Sequence, residues 1–197
     1  MVAKRRNLMY VHKAVLTSLA VALCLLSSFA PAVFATGVTH VITVGATPKM
    51  SMQPFSPSVT VYPVKMKANP NAFGINQQPN GIGGNCIGPD GNSYPKCGSG
   101  TTTITAKNTG RSSFTVTGYC WSVSPNPNTG KGKLNLGCGS VSGFGTIAPG
   151  GKLKFTWTTD LYNWPDGTFI FKVLLQGTVG SSTDNSKSAK YTVTVTG

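Results

Sequence analysis

The 197-residue sequence predicts an all-β chain: an antiparallel two-sheet sandwich of about seven strands, preceded by a β-prone arm. Three observations carry this. Apolar and polar residues alternate with period two in the segments after residue 57. Clusters of Gly, Pro, Asn and Asp break these segments at short hairpin spacing. No segment past residue 35 repeats with helical period.

In chain order, residues 1–35 read as an export signal. Lys4, Arg5, Arg6 and Lys13 form a basic leader, Ala14 to Phe34 is uncharged and mostly apolar, and Val33 and Ala35 are the small residues a signal peptidase accepts before Thr36. The rival reading is a retained membrane helix, since about 20 apolar residues suffice to span a bilayer; Pro31 and the Ser27-Ser28 pair weaken it. Residues 36–57 form an arm and linker, whose Val38, His40, Val41, Ile42 and Val44 lie in a β-prone run. The sandwich is expected over 58–197. Its first strand, 58–67, slips phase at Pro63, as an edge strand or bulge would. Residues 69–100 are rich in Gly, Pro and Asn and predict a long loop.

The alternating strands follow. Residues 101–107 carry Ile104 and Ala106 and stop at the turn Asn108-Thr109-Gly110. Residues 113–121 place Phe114, Val116 and Cys120 on one face, with Thr115, Thr117, Tyr119 and Trp121 on the other. Residues 133–141 contribute Leu134, Leu136 and Cys138. Leu153, Phe155 and Trp157 alternate with Lys152, Lys154 and Thr156. Phe169, Phe171, Val173 and Leu175 belong to a strand apolar on both faces, which predicts a central position. Tyr191, Val193 and Val195 make the last strand.

Cleavage after Ala35 would remove Cys24 and leave Cys86, Cys97, Cys120 and Cys138, an even number in an exported chain. Three pairings exist. Cys86–Cys97 and Cys120–Cys138 are favoured because each brackets a turn-rich loop, and closing a loop of about 15 residues stabilises by about 3 kcal/mol in the chain-entropy model. The formal charge of +13 would fall to +9 on loss of the leader, and it reflects missing acids: there is no glutamate, and the aspartates are Asp90, Asp160, Asp166 and Asp184. Such a chain is drawn to anionic polysaccharide or a cell surface. The lysines are scattered along the sequence, paired only at Lys65/Lys67, Lys131/Lys133 and Lys152/Lys154, and no motif for specific nucleic-acid binding accompanies them.

The residue inventory predicts no enzyme, cofactor or metal. Asp90, Asp166 and Asp184 sit in turn-like contexts, His40 lies in the arm, and neither a Gly-x-Ser-x-Gly elbow nor a C-x-x-C pair occurs. The remaining candidates are aromatics. Trp157 alternates inward, whereas Trp121, Tyr162 and Trp164 are candidates for stacking on a sugar ring, weighed against burial in the core.

The stretch Ile104-Thr105-Ala106-Lys107-Asn108-Thr109-Gly110, then Phe114-Thr115-Val116, Ile147-Ala148-Pro149-Gly150-Gly151 and Asp166-Gly167-Thr168-Phe169, resembles exported immunoglobulin-like modules of microbial adhesion, cell-surface and pilus-like proteins. The resemblance rests on turn chemistry over less than half of the chain. It implies an immunoglobulin-like sandwich, brings no catalytic residues, and departs from antibody domains in having four cysteines in two local pairs.

These readings converge on an extracellular structural or adhesive subunit of a fibre, pilus or biofilm matrix, in which 38–44 is donated as a strand to the next copy and generates filaments. The alternatives are a secreted monomeric carbohydrate-binding module using Trp121, Tyr162 or Trp164, and a type IV pilin-like subunit keeping its apolar helix. Membrane contact is expected only through the signal segment, if it stays uncleaved.

Overall fold

The computed structural model describes residues 40–48, 60–79 and 86–197, all within the compact unit Thr39–Gly197. The expected signal segment, Val38 and most of the linker lie outside the described residues. Those described form fifteen strands and no helix. In chain order these are β1 (His40–Ala46), β2 (Thr60–Val61), β3 (Val64–Asn69), β4 (Ala72–Asn76), β5 (Gln78–Pro79), β6 (Cys86–Ile87), β7 (Ser93–Tyr94) and β8 (Lys96–Asn108). There follow β9 (Phe114–Ser124), β10 (Leu134–Ser140), β11 (Thr146–Ile147), β12 (Lys152–Tyr162), β13 (Gly167–Val179), β14 (Ser182–Asn185) and β15 (Ala189–Thr196).

Two sheets share one core. The first runs β1-β12-β8-β3, with β5 also on β8. The second is built on β9 and β13, with β10 and β11 on β9, β14 and β15 on β13, β2 on β14 and β4 on β15. A separate two-stranded ribbon joins β6 to β7. The all-β sandwich stands, while the strand number exceeds the seven expected. The sheets are not purely antiparallel either, because β1–β12, β2–β14 and β4–β15 are parallel ladders. All three lie at the rims. Chain entering from the arm or from 69–100 reaches a sheet edge beside a strand already running its way.

The alternation places the core as read. Leu153, Phe155 and Trp157 face inward from β12, Phe169 to Leu175 from a central β13, and Tyr191 to Val195 from β15. Each large apolar side chain so buried contributes roughly 1.5–3 kcal/mol. The phase slip at Pro63 has a concrete meaning. β2 pairs with β14 in the second sheet and β3 with β8 in the first, so the chain changes sheets at Tyr62-Pro63.

On β9 the expected faces hold only as far as Val116. Val116 stands opposite Gly177 and Gly118 opposite Gln176, so Thr117 is an extra residue in a bulge. Beyond it the phase inverts: Tyr119 and Trp121 turn onto Trp157 edge-on, at ring-centroid distances of 5.2 and 6.0 Å, while Cys120, itself buried, turns to the opposite face of the sheet to join Cys138 on β10. The loop expected over 69–100 is likewise largely structured, holding β4 to β7 and the start of β8.

One polar cluster crosses the core. The Trp157 indole N–H donates to the Tyr191 hydroxyl at 2.9 Å, and the Thr159 hydroxyl lies 2.8 Å from the same oxygen. Tyr191 is fully enclosed, and burial raises its pKa well above the ordinary tyrosine value. Its satisfied hydroxyl ties β12 of one sheet to β15 of the other.

Candidate functional site

Two places in the fold carry the residues singled out from the sequence. The first is the seat of β1. Ile42, Val44 and Ala46 enter the core, while Val41 and Thr43 face outward. His40 stacks on Phe144 at 4.4 Å and Ala46 pairs with Leu161, so the strand is held along its length. The donor-strand candidates His40, Val41, Ile42 and Val44 thus sit in cis, parallel to β12 of their own chain; Val38 lies outside the described residues. Among the described residues β1 has a ladder on one side only.

The second place is the end of the sandwich where β1 and β12 finish. A cleft of about 820 Å³ opens there between the Cys86–Cys97 loop, the turn after β12 and the turn after β9. Asn92, Tyr94, Lys96, Asn128 and Asn163 supply its polar wall, and Pro48, Pro127 and Pro165 its stiff rim. Asn163 adopts φ 52°, in the left-handed region that asparagine tolerates, and its N–H donates to the Lys96 carbonyl. Asp90 organises the stapled loop. Its carboxylate accepts from the Tyr94 hydroxyl at 2.6 Å and from the Asn92 backbone and side-chain amides at 3.1 and 3.0 Å. The Tyr94 bond first, and the Asn92 bonds after it, hold the exposed Asp90 carboxyl below the usual carboxylate range, against a smaller opposing effect of desolvation. Lys96 pairs with Asp166 at 3.9 Å and donates to the Gly197 carbonyl. The Asn128 side-chain amide donates to the Pro48 carbonyl, joining the segment after β1 to the cleft wall.

The sugar-stacking candidates fare unequally. Trp121 is enclosed between Trp157 and Phe171, so the inverted phase beyond the β9 bulge removes it from any surface. Trp164 is fully buried. Its indole N–H donates to the Ala46 carbonyl at 2.8 Å, and its backbone N–H and carbonyl are bridged by the Gln77 side chain at 2.9 and 2.8 Å. The ring itself is packed against Phe169 and Phe171, at centroid distances of 5.2 and 5.6 Å, and its burial leaves no free face for a ligand. Tyr162 is half-buried, its ring 6.0 Å from that of Tyr94, and burial followed by the Asp160 charge raises its pKa. Tyr94 was missed because it lies in the segment read as loop; the staple around it was the available signal.

Both disulfides join the favoured partners, Cys86–Cys97 and Cys120–Cys138. They fit an oxidising compartment. The aspartates do not converge: Asp90 and Asp166 lie at turns as read, whereas Asp160 lies in β12 and Asp184, contrary to the turn expected, in β14. Among the described residues no three His, Cys, Asp or Glu side chains come together to hold a metal.

No protein-family model matches the chain, and no curated protein matches its sequence. Among solved structures it is similar to the Northeast Structural Genomics Consortium target SoR45, at TM-score 0.45 and 13% identity over 68% of this chain and 88% of that one. A Bordetella pertussis protein provisionally called ApaA gives 0.40 and 13% over 68% and 97%. The sporulation control protein Spo0M of Bacillus subtilis gives 0.39 and 14% over 71% and 51%. Likeness at this level carries no functional argument.

Proposed function

We propose that this chain is an exported, non-enzymatic structural subunit with an immunoglobulin-like sandwich, which joins copies of itself by exchanging β1. The observation that carries the reading is the seat of β1. A strand with one ladder inserts Ile42, Val44 and Ala46 into a core otherwise supplied by the rest of the chain. Thirteen residues, 47–59, separate it from β2, enough to reach on the order of 40 Å when extended. Exchange would preserve every β1 contact, so linker reach and local concentration decide between cis and trans. Cell-surface or extracellular location belongs to the same proposal and is supported by the two disulfides.

Val41 and Thr156 stand directly opposite each other on the outer face of the β1–β12 ladder. Carrying Val41→Cys and Thr156→Cys together, the protein is treated with a short thiol-reactive crosslinker over a range of concentrations and run on a denaturing gel. Exchange gives a ladder of covalent multimers. Intramolecular linkage alone at every concentration would overturn the proposal.

The cleft favours a second reading, a carbohydrate-binding module with Tyr94 in the role expected of the tryptophans and with Asn92, Asn128 and Asn163 as paired donors and acceptors for sugar hydroxyls. Glycan-array binding that disappears with Tyr94→Ala and Asn128→Ala, in a protein that never multimerises, would select it. The pilin-like reading depends on residues outside those described.

A further inference from the structure

Five of the lysines scattered along the sequence converge on the outer face of the first sheet, whereas among the described residues the second sheet opposes a single pair, Lys172 and Lys190. In the first sheet, Lys152 on β12 stands opposite Lys107 on β8, and Lys107 opposite Lys65 on β3. Two residues along, Lys154 and Lys67 flank Thr105 in the next row. Strand geometry sets neighbours roughly 4.8 Å apart across the sheet and roughly 7 Å apart along it. Five of the thirteen basic residues that follow the leader therefore share a few square nanometres, all exposed. None of the five has an ion-pair partner among the described residues. Asp160 is the acid on this face, and it stands at the far end of β12, opposite Ser99.

Stability does not account for this arrangement. Like charges directly opposite on neighbouring strands are destabilising, and three in a row repeat that cost. Protection of a sheet edge explains Lys65 and Lys67 on the outer strand β3. It does not explain Lys107, Lys152 and Lys154, because β8 and β12 are interior strands. Elsewhere on the same face these strands carry Thr101, Thr103, Thr156 and Thr158, which fill such positions without repulsion. A local rule broken without a folding benefit marks a surface kept for a partner.

We infer that the outer face of the first sheet is a binding surface for a linear anionic polysaccharide. Lysine ammoniums are compact point charges that accept carboxylate or sulfate in many orientations. The threonine hydroxyls around them donate to and accept from sugar hydroxyls. Beside the lysines the interior strands present threonines on this face. Its aromatic ring, the half-buried Tyr162, stands at the far end of β12 over Gly45, and its exposed apolar side chain, Val41, lies on the edge strand β1. Neither a base-stacking platform nor an apolar wedge therefore adjoins the lysine rows. The surface is independent of β1 exchange, since β1 contributes no lysine to it.

The test compares two variants of equal charge in the full exported chain, both first shown to melt cooperatively. One is Lys65→Thr, Lys107→Thr, Lys152→Thr and Lys154→Thr combined. The other removes Lys131, Lys172, Lys187 and Lys190 in the same way. Probes are polygalacturonate, vesicles containing phosphatidylglycerol, and duplex DNA. The expected result is that the first variant loses polygalacturonate affinity by about tenfold or more, and that its dependence on log salt becomes shallower by roughly one for each contacting lysine removed. The second variant stays close to the parent. Equal loss in both variants would reduce the effect to net charge and overturn the inference. So would vesicles or DNA bound more tightly than polygalacturonate through the same four lysines. Because the thiol-crosslinking experiment on β1 uses none of these lysines, failure of one proposal leaves the other standing.

Discussion

β1 and β4 are both parallel strands added at the rim of an antiparallel core, yet they are seated in opposite ways. β1 supplies bulk: Ile42, Val44 and Ala46 fill space between the sheets, and the Phe144 stack and the Trp164 bond hold its ends. β4 is accommodated by removal of bulk opposite it. Its Phe73 and Ile75 lie over Gly100 and Gly98 of β8, where a methyl group at Gly98 would come within 2.6 Å of Ile75. One edge is a plug and the other rests in a notch. A plug can leave and be replaced by an identical one, whereas a notch is specific to the residues across from it.

Trp164 belongs to both edges, through Ala46 on one side and through Gln77, just past β4, on the other. Trp164→Ala should therefore have the largest effect, a loss of about 3–5 kcal/mol, read as a drop in Tm of roughly 10 °C. Trp164→Phe sharpens the comparison. It removes the bond to Ala46 and leaves the backbone bridge to Gln77, so hydrogen exchange should accelerate in β1 and stay unchanged in β4.

Gly100→Ala acts on the notch alone. Its methyl group would collide with the Phe73 ring, and relief by displacement should cost about 1–3 kcal/mol. Amides of β4 should lose exchange protection while those of β1 keep theirs. Equal loss in both strands would mean the two edges are not independently seated.

Alkali probes the ground beneath β4, because Phe73 stacks on Tyr191 at 5.6 Å. Burial raises the Tyr191 pKa, so the unfolded tyrosine, titrating near ~10, loses its proton first. The associated stability is present below that pH and is lost as pH rises beyond it. Tm of the parent should fall more steeply above pH ~10 than that of Tyr191→Phe, which starts lower by about 1–2 kcal/mol for want of the Trp157 and Thr159 bonds. Parallel curves would remove Tyr191 as the cause.

The smallest effect is expected at Asp90, whose bonds stay within the stapled loop. Its lowered carboxyl pKa gives local order above the usual carboxylate range, lost as pH falls through the depressed value. Asp90→Ala should speed exchange at the Asn92 amide and leave the global melt unchanged. A shift in Tm would show that the stapled loop folds together with the sandwich.

The core strands were legible because alternation reports burial directly: Leu153, Phe155 and Trp157, or Tyr191, Val193 and Val195, need no partner to be read. Both disulfides were legible from the loops they bracket. What escaped depended on facts that sequence spacing does not hold. One extra residue, Thr117, reverses the faces of Tyr119 and Trp121 and turns a candidate ligand ring into core. β4 escaped because Ala72-Phe73-Gly74-Ile75-Asn76 alternates too briefly within a run of Gly, Pro and Asn, and its partner glycines carry no hydrophobic signal. The lysine rows needed the registers of three strands, drawn from residues 65, 107 and 152. Sites made by one strand are visible in a sequence; sites made across strands wait for the pairing.

The direction of β1 has a mechanical consequence. It runs from His40, beside Phe144, to Ala46 at the cleft end, where β15 also finishes, with the Thr196 carbonyl bonded to the Gln77 amide. Tension entering at His40 and leaving at Thr196 pulls β1 and β15 lengthwise in opposite senses. Every hydrogen bond of the β1–β12 ladder is then loaded in shear together, instead of being unzipped one at a time. A domain anchored at those two points would bear load along its strongest axis.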